Sequence, residues 1–270
     1  MRHQQYLANV LMGAAAVSLV GSHFVPGANQ PGPVMTAVTA IATGNNLAHS
    51  SVDSTEAGAV SLMTRNALAA FTGSVRKLSH PKALEDAFKS YFAFKSAHPN
   101  DVKKPFLYFV DYGLSSTEPR GYVFNMTSLK IVDGPFTVAH GRGSSTNQYG
   151  VPTKFSNASN SHMTSLGLYL AKSTYGFSGH SGGRSYSSIG LRLDGVSDGF
   201  NDNALNRGVV AHGAPYVTPS KAGRSEGCPA MEQARAKRLL PELANGAMVF
   251  LFAPNDKWLD NDPWINAEAS

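Results

Sequence analysis

The sequence predicts a mainly β (α+β) protein, in which a β-rich catalytic-sized domain follows a small N-terminal helical flank. Three observations lead there. After Pro99 the apolar residues fall into short β-branched and aromatic runs separated by Gly/Pro/Ser clusters. Between Ser61 and Lys95 they recur at helical spacing. No regular strand–helix alternation is present, which argues against a doubly wound α/β sheet. With 270 residues, 42% of them hydrophobic, the chain can bury a proper core in one or two domains.

Taken in order, Met1-Arg2-His3 is a short positive start, and Arg2 is the only charged side chain before Asp53. Leu7–Val20 (LANVLMGAAAVSLV) is mostly apolar, and small residues follow around Ala28 and Val38-Thr39-Ala40. That order is the pattern of a secretory signal, with an apolar stretch too short for a comfortable membrane span. Residues 1–40 are therefore expected to be an export segment, and the protein to reach the periplasm or cell envelope. Residues 41–60 are small, polar and aperiodic and read as a flexible linker. The helical flank, 61–100, divides in two. Leu62, Leu68, Phe71 and Val75 share one face, and Leu84, Phe88, Tyr91 and Phe92 mark a second helix opening after Pro81.

The catalytic domain is expected over 101–254, with strands at 106–110, 122–124, 129–132, 136–138, 166–170, 189–193, 209–212 and 248–252. One helix is expected from Pro229 to about Leu243, and a tail over 255–270. Net charge is +5, from 23 basic against 18 acidic residues, without Lys/Arg blocks, so a nucleic-acid partner is not expected. No apolar run reaches membrane-spanning length. The single cysteine, Cys228, cannot form an intrachain disulfide.

The strongest constellation is His212-Gly213 followed by Ser225-Glu226-Gly227-Cys228. A cysteine nucleophile needs a base, or surroundings that favour thiolate, because a free thiol is mostly protonated at neutral pH. A strand ending at His212 would supply the base. With Pro229 opening a helix, Cys228 would lie at a helix N-terminus, which would hold its pKa down. The N–H groups of Gly227 and Cys228 could then stabilise an oxyanion. His140, flanked by Gly141 as His212 is by Gly213, is a candidate second residue near the site.

Other motifs compete. Gly179-His180-Ser181-Gly182-Gly183 satisfies the hydrolase nucleophile elbow, with Asp194, Asp198 or Asp202 and then His212 in the usual order. That elbow must leave a strand and enter a helix, whereas Arg184 to Leu193 reads as loop then strand. Ser74-Val75-Arg76-Lys77 matches S-x-x-K but has no K-[ST]-G partner. Neither H-E-x-x-H nor paired cysteines occur, so spacing supports no metal site, and no cofactor is expected.

From His212-Gly213 through Ser225-x-Gly227-Cys228-Pro229-Ala230 the chain resembles the L,D-transpeptidase catalytic (YkuD-like) family, in its murein L,D-transpeptidase branch. The resemblance runs over roughly 80–253. It takes in Val138-Ala139-His140-Gly141, Phe155-Ser156-Asn157, Thr164 to Tyr169, Asn201-Asp202-Asn203 with Arg207, and Tyr216-Val217. It implies a β-rich fold and acyl transfer on peptidoglycan stem peptides. Cys228 would be the nucleophile and His212 the base, with the Gly213 carbonyl orienting the imidazole. His140, Ser225, Arg207, Arg224 and Tyr216 are carried as candidate substrate contacts, the two arginines as cations for a substrate carboxylate. In many relatives His or Thr stands at Glu226 and Arg at Ala230, and these departures bear on stem recognition. L,D-carboxypeptidase activity, a Ser181-dependent hydrolase and a non-catalytic peptidoglycan-binding envelope protein remain alternatives.

Overall fold

The computed structural model describes residues 44–267, with side chains from Glu56 onward. The expected export segment, 1–40, lies outside the described residues. Helix α1 (Gly44–Phe71) and helix α2 (Ala83–Ala97) come first, followed by strands β1 (Phe106–Asp111), β2 (Gly121–Asn125), β3 (Lys130–Phe136) and β4 (His140–Gly141). A long hairpin, β5 (Gly167–Ser181) and β6 (Arg184–Gly195), leads to β7 (Val210–Ala214) and β8 (Val217–Thr218). Then come β9 (Lys221–Ala222), β10 (Arg224–Ser225), β11 (Ala230–Glu232), helix α3 (Gln233–Leu243), β12 (Met248–Phe252) and helix α4 (Asp256–Leu259).

Eight strands form one mixed sheet in the order β11-β7-β6-β5-β12-β1-β2-β3. Its centre is the parallel pair β1–β12, with Leu107 opposite Met248 and Val110 opposite Leu251. Both strands are apolar at successive positions because both faces are covered, and every residue of β12 is buried. Helix α2 supplies part of that cover through Phe88, Tyr91 and Phe94. Phe71, at the end of α1, joins the same core with its ring 4.7 Å from Phe124 and 5.5 Å from Phe88.

Four sequence expectations need correction. The segment read as a linker is helical from Gly44, so α1 starts well before Ser61. Instead of two strands at 129–132 and 136–138 there is one, β3, which spans Lys130–Phe136 and ends before Thr137 and Val138. The tail beyond 254 packs onto the body: Trp258 and Ile265 are buried, and Trp258 Nε1 donates to Asp262 at 2.8 Å. Most consequentially, no helix starts at Pro229. Residues 230–232 pair in parallel with β7 as strand β11, and α3 begins only at Gln233.

Candidate active site

Two strands build the site. β7 carries His212 and Gly213, and β11 lies beside it with Ala230 opposite His212. The His212 N–H donates to the Pro229 carbonyl at 3.3 Å, which ties the base-bearing strand to the residue after Cys228. The Val210 N–H, two residues before His212 on the same strand, points at Cys228 Sγ at 3.5 Å. Cys228 is thus held against the strand that carries the imidazole.

His212 is buried, and its Nδ1 lies 3.1 Å from the Gly213 carbonyl. A carbonyl only accepts, so Nδ1 carries the proton and Nε2 keeps its lone pair. Burial pushes the imidazole down to about 4, against the opposing pull of that carbonyl. The ring is therefore a neutral base at neutral pH.

The thiol behaves differently from the sequence expectation. Burial raises the Cys228 pKa, and the Val210 N–H and the Arg207 charge offset this only in part. The expected depression needed a helix N-terminus, and β11 stands where that helix would be. At rest the pair is a thiol and a neutral imidazole.

The turn before Cys228 is set by Ser225. Its Oγ accepts from the Gly227 N–H at 3.2 Å and donates to the Cys228 carbonyl at 2.6 Å. Ser225 is buried, with its hydroxyl engaged inside the turn. The Gly227 N–H, one of the two expected oxyanion donors, is thus engaged within the turn. Gly227 has φ +126°, and a Cβ there would come within 2.9 Å of the Met163 carbonyl. Only glycine fits that combination.

Around this centre the other candidates separate. Arg207 donates to the Ser156 and Met163 carbonyls at 2.9 and 2.8 Å and to the hydroxyls of Ser165 and Ser161, each at 3.2 Å. It also lies close to Gly227: a Cβ built there would be 3.7 Å from Nη2. His140, on β4 opposite Arg224 of β10, is fully buried. Arg120 Nη2 donates to its Nδ1 at 3.0 Å, and the ring is held down to about 3, first by burial and then by the charges of Arg120 and Arg224. His140 thus stays neutral with its proton on Nε2. Arg224 Nη1 donates to the Ser145 carbonyl at 3.0 Å. Tyr216 sits farther along, its ring edge-on to Tyr186 at 6.4 Å.

Ser181 ends β5 at the hairpin tip, followed by Gly182 and Gly183 with φ +57° and +75°. The glycines make the tight reversal into β6, so the G-x-S-x-G match is a β-hairpin and the elbow reading falls. Among the described residues no cluster of three His, Cys, Asp or Glu could hold a metal ion.

Two features escaped sequence reasoning. Phe177, on β5, stacks on the His212 ring. Glu226 accepts from Arg142 Nε at 2.9 and 2.8 Å and lies 2.6 Å from His162 Nδ1, so two loops pin the residue two before Cys228. Only the unusual residue at Glu226 signalled the second; nothing in the local sequence signalled the first.

Comparison with known proteins identifies the family. A family model described as the L,D-transpeptidase catalytic domain matches residues 76–252. No curated protein matches the chain. An L,D-transpeptidase from Mycobacterium smegmatis is similar in structure at 14% identity, covering 55% of this chain and 59% of that one, with a TM-score of 0.34. An L,D-transpeptidase from Stackebrandtia nassauensis is similar at 18% identity, covering 63% and 66%, with a TM-score of 0.34. The chain thus spans less than two thirds of those structures. Over 76–252 the chain belongs to the L,D-transpeptidase catalytic-domain family.

Proposed function

We propose that the protein is an exported cysteine acyltransferase that acts on peptidoglycan stem peptides through a thioester on Cys228. The observation that carries this is the 3.1 Å contact of His212 Nδ1 with the Gly213 carbonyl, which assigns the proton to Nδ1 and leaves Nε2 as a base on the strand against which the thiol rests. The Cys228 sulfur attacks the amide carbonyl between an L-centre and the terminal D-residue, and its proton passes to His212 Nε2. The C–N bond breaks as His212 returns that proton to the leaving amine, and the terminal D-amino acid departs. An amine of a second stem then attacks the thioester, giving the cross-link and restoring the thiol; water in its place gives carboxypeptidase activity. Cys228 N–H is the backbone donor left for the oxyanion.

Since the resting thiol is protonated, deprotonation accompanies attack, and a neutral buried imidazole suits that role. The charge-poor, apolar start of the chain supports export, and among the described residues no helix is long and apolar enough to cross a membrane. A retained cysteine and base favour catalysis over passive peptidoglycan binding. Incubation with defined muropeptides, followed by mass spectrometry of the products, tests the reading. Cross-linked dimers or stems shortened by one D-residue are expected, and unchanged muropeptides would overturn it.

A further inference from the structure

Beside the nucleophile turn is a cleft of about 400 Å³ whose wall holds Arg142, Lys154 and Arg224 together with Ser, Thr and Asn side chains. No carboxylate lines it among the described residues. Its cations also keep donors in reserve. Arg142 gives Glu226 only its Nε, and Arg224 bonds the Ser145 and Thr146 carbonyls through Nη1 alone. Lys154 is exposed and forms no ion pair among the described residues. Glu226, the acid closest in sequence, does not line the cleft and is shared between Arg142 and His162.

The cleft is wired to the thiol by backbone. The Arg142 N–H donates to the Ser225 carbonyl at 2.7 Å, and Arg224 immediately precedes Ser225 on β10. Arg142 is balanced in part by Glu226, whereas Lys154 and Arg224 have no carboxylate partner among the described residues, and guanidinium groups bind carboxylates bidentately. Peptide stems bearing free carboxylates away from the scissile amide are anions of that kind.

We propose that this cleft is a carboxylate subsite, in which Lys154, Arg224 and the free face of Arg142 hold an internal free carboxylate of the stem while Cys228 works on the terminal bond. The proposal rests on the peptidoglycan reading above and adds what selects the stem.

The test compares a synthetic stem tetrapeptide with twins in which each internal carboxylate in turn is a primary amide, using full-length wild type and Lys154→Gln. For one twin, amidation should lower wild-type kcat/KM roughly ten-fold or more, the scale of a lost charge-assisted contact. Lys154→Gln should lose rate on the carboxylate peptide and bring the carboxylate-to-amide ratio towards one. Equal wild-type rates on all peptides, or equal losses by the variant on all of them, would overturn the subsite. Peptide binding by calorimetry separates this from a failure of the enzymatic reading. If nothing is turned over, Lys154-dependent preference for the carboxylate peptide still supports the subsite, and equal or absent binding overturns it.

Discussion

Phe177 lies flat against the His212 imidazole, with ring centroids 4.2 Å apart and planes 22° from parallel. The long hairpin thereby supplies one wall of the base's pocket and part of the burial that holds its pKa down to about 4. Phe177→Ala should let water reach the ring. The His212 pKa, followed by NMR, should rise towards the ordinary 6.5, and kcat/KM should fall a few-fold to about ten-fold. An unchanged titration would mean that Phe177 does not shape the pocket's electrostatics.

The pH dependence follows from the same pocket. With His212 neutral down to about 4, the acid limb of kcat/KM should lie near pH 4 rather than near 6.5. Stability carries the matching sign. The folded protein resists protonating His212, so that contribution is complete above about pH 6.5 and is lost as the pH falls towards 4. A shift of this size corresponds to roughly 3 kcal/mol. Asp86, pushed up to about 6 by burial, works in the opposite direction. The difference between wild type and His212→Gln in denaturant unfolding isolates the histidine. That difference should shrink from pH 8 to pH 4, and a constant one would contradict the assignment.

The Ser225 hydroxyl closes the turn. Ser225→Ala would leave the Gly227 N–H and the Cys228 carbonyl without their partner, at a cost of about 1–3 kcal/mol. Thermal unfolding should show the loss together with a fall in rate, and Ser225→Thr, which keeps a hydroxyl, should recover part of both. If Ser225→Ala kept full stability, the turn would owe its shape to something else.

Thiol reactivity separates the resting states. Alkylation of Cys228 by iodoacetamide should be slow at pH 7 and rise only above the ordinary thiol range, since burial raises its pKa. Fast alkylation below pH 7 would show a resting thiolate and put the burial argument aside.

Much of this was legible in the chain itself. β1 and β12 are continuous apolar runs because they are the buried centre of the sheet, and the spacing from His212 to Cys228 marks the strand and turn that carry them. What local pattern hid has identifiable causes. The outer hairpin, Lys172–Ser188, is polar and glycine-bearing, and its extended form comes from pairing across Gly182-Gly183. The start of α1 is small and polar without an apolar face. Pro229 suggested a helix start, but the pairing of β11 with β7, a tertiary contact, overrode that local preference. Arg120 on His140 and Phe177 on His212 join residues 20 and 35 positions apart in sequence, a distance no motif spans.

The most direct test of the central claim is intact-protein mass spectrometry after brief incubation with a stem tetrapeptide. Wild type should gain the mass of the peptide acyl group less its terminal D-residue, and digestion should map the adduct to Cys228. Cys228→Ser should show no adduct and lose several orders of magnitude in turnover, while Ser181→Ala should match wild type. An adduct on Ser181, or undiminished turnover by Cys228→Ser, would contradict a Cys228 thioester.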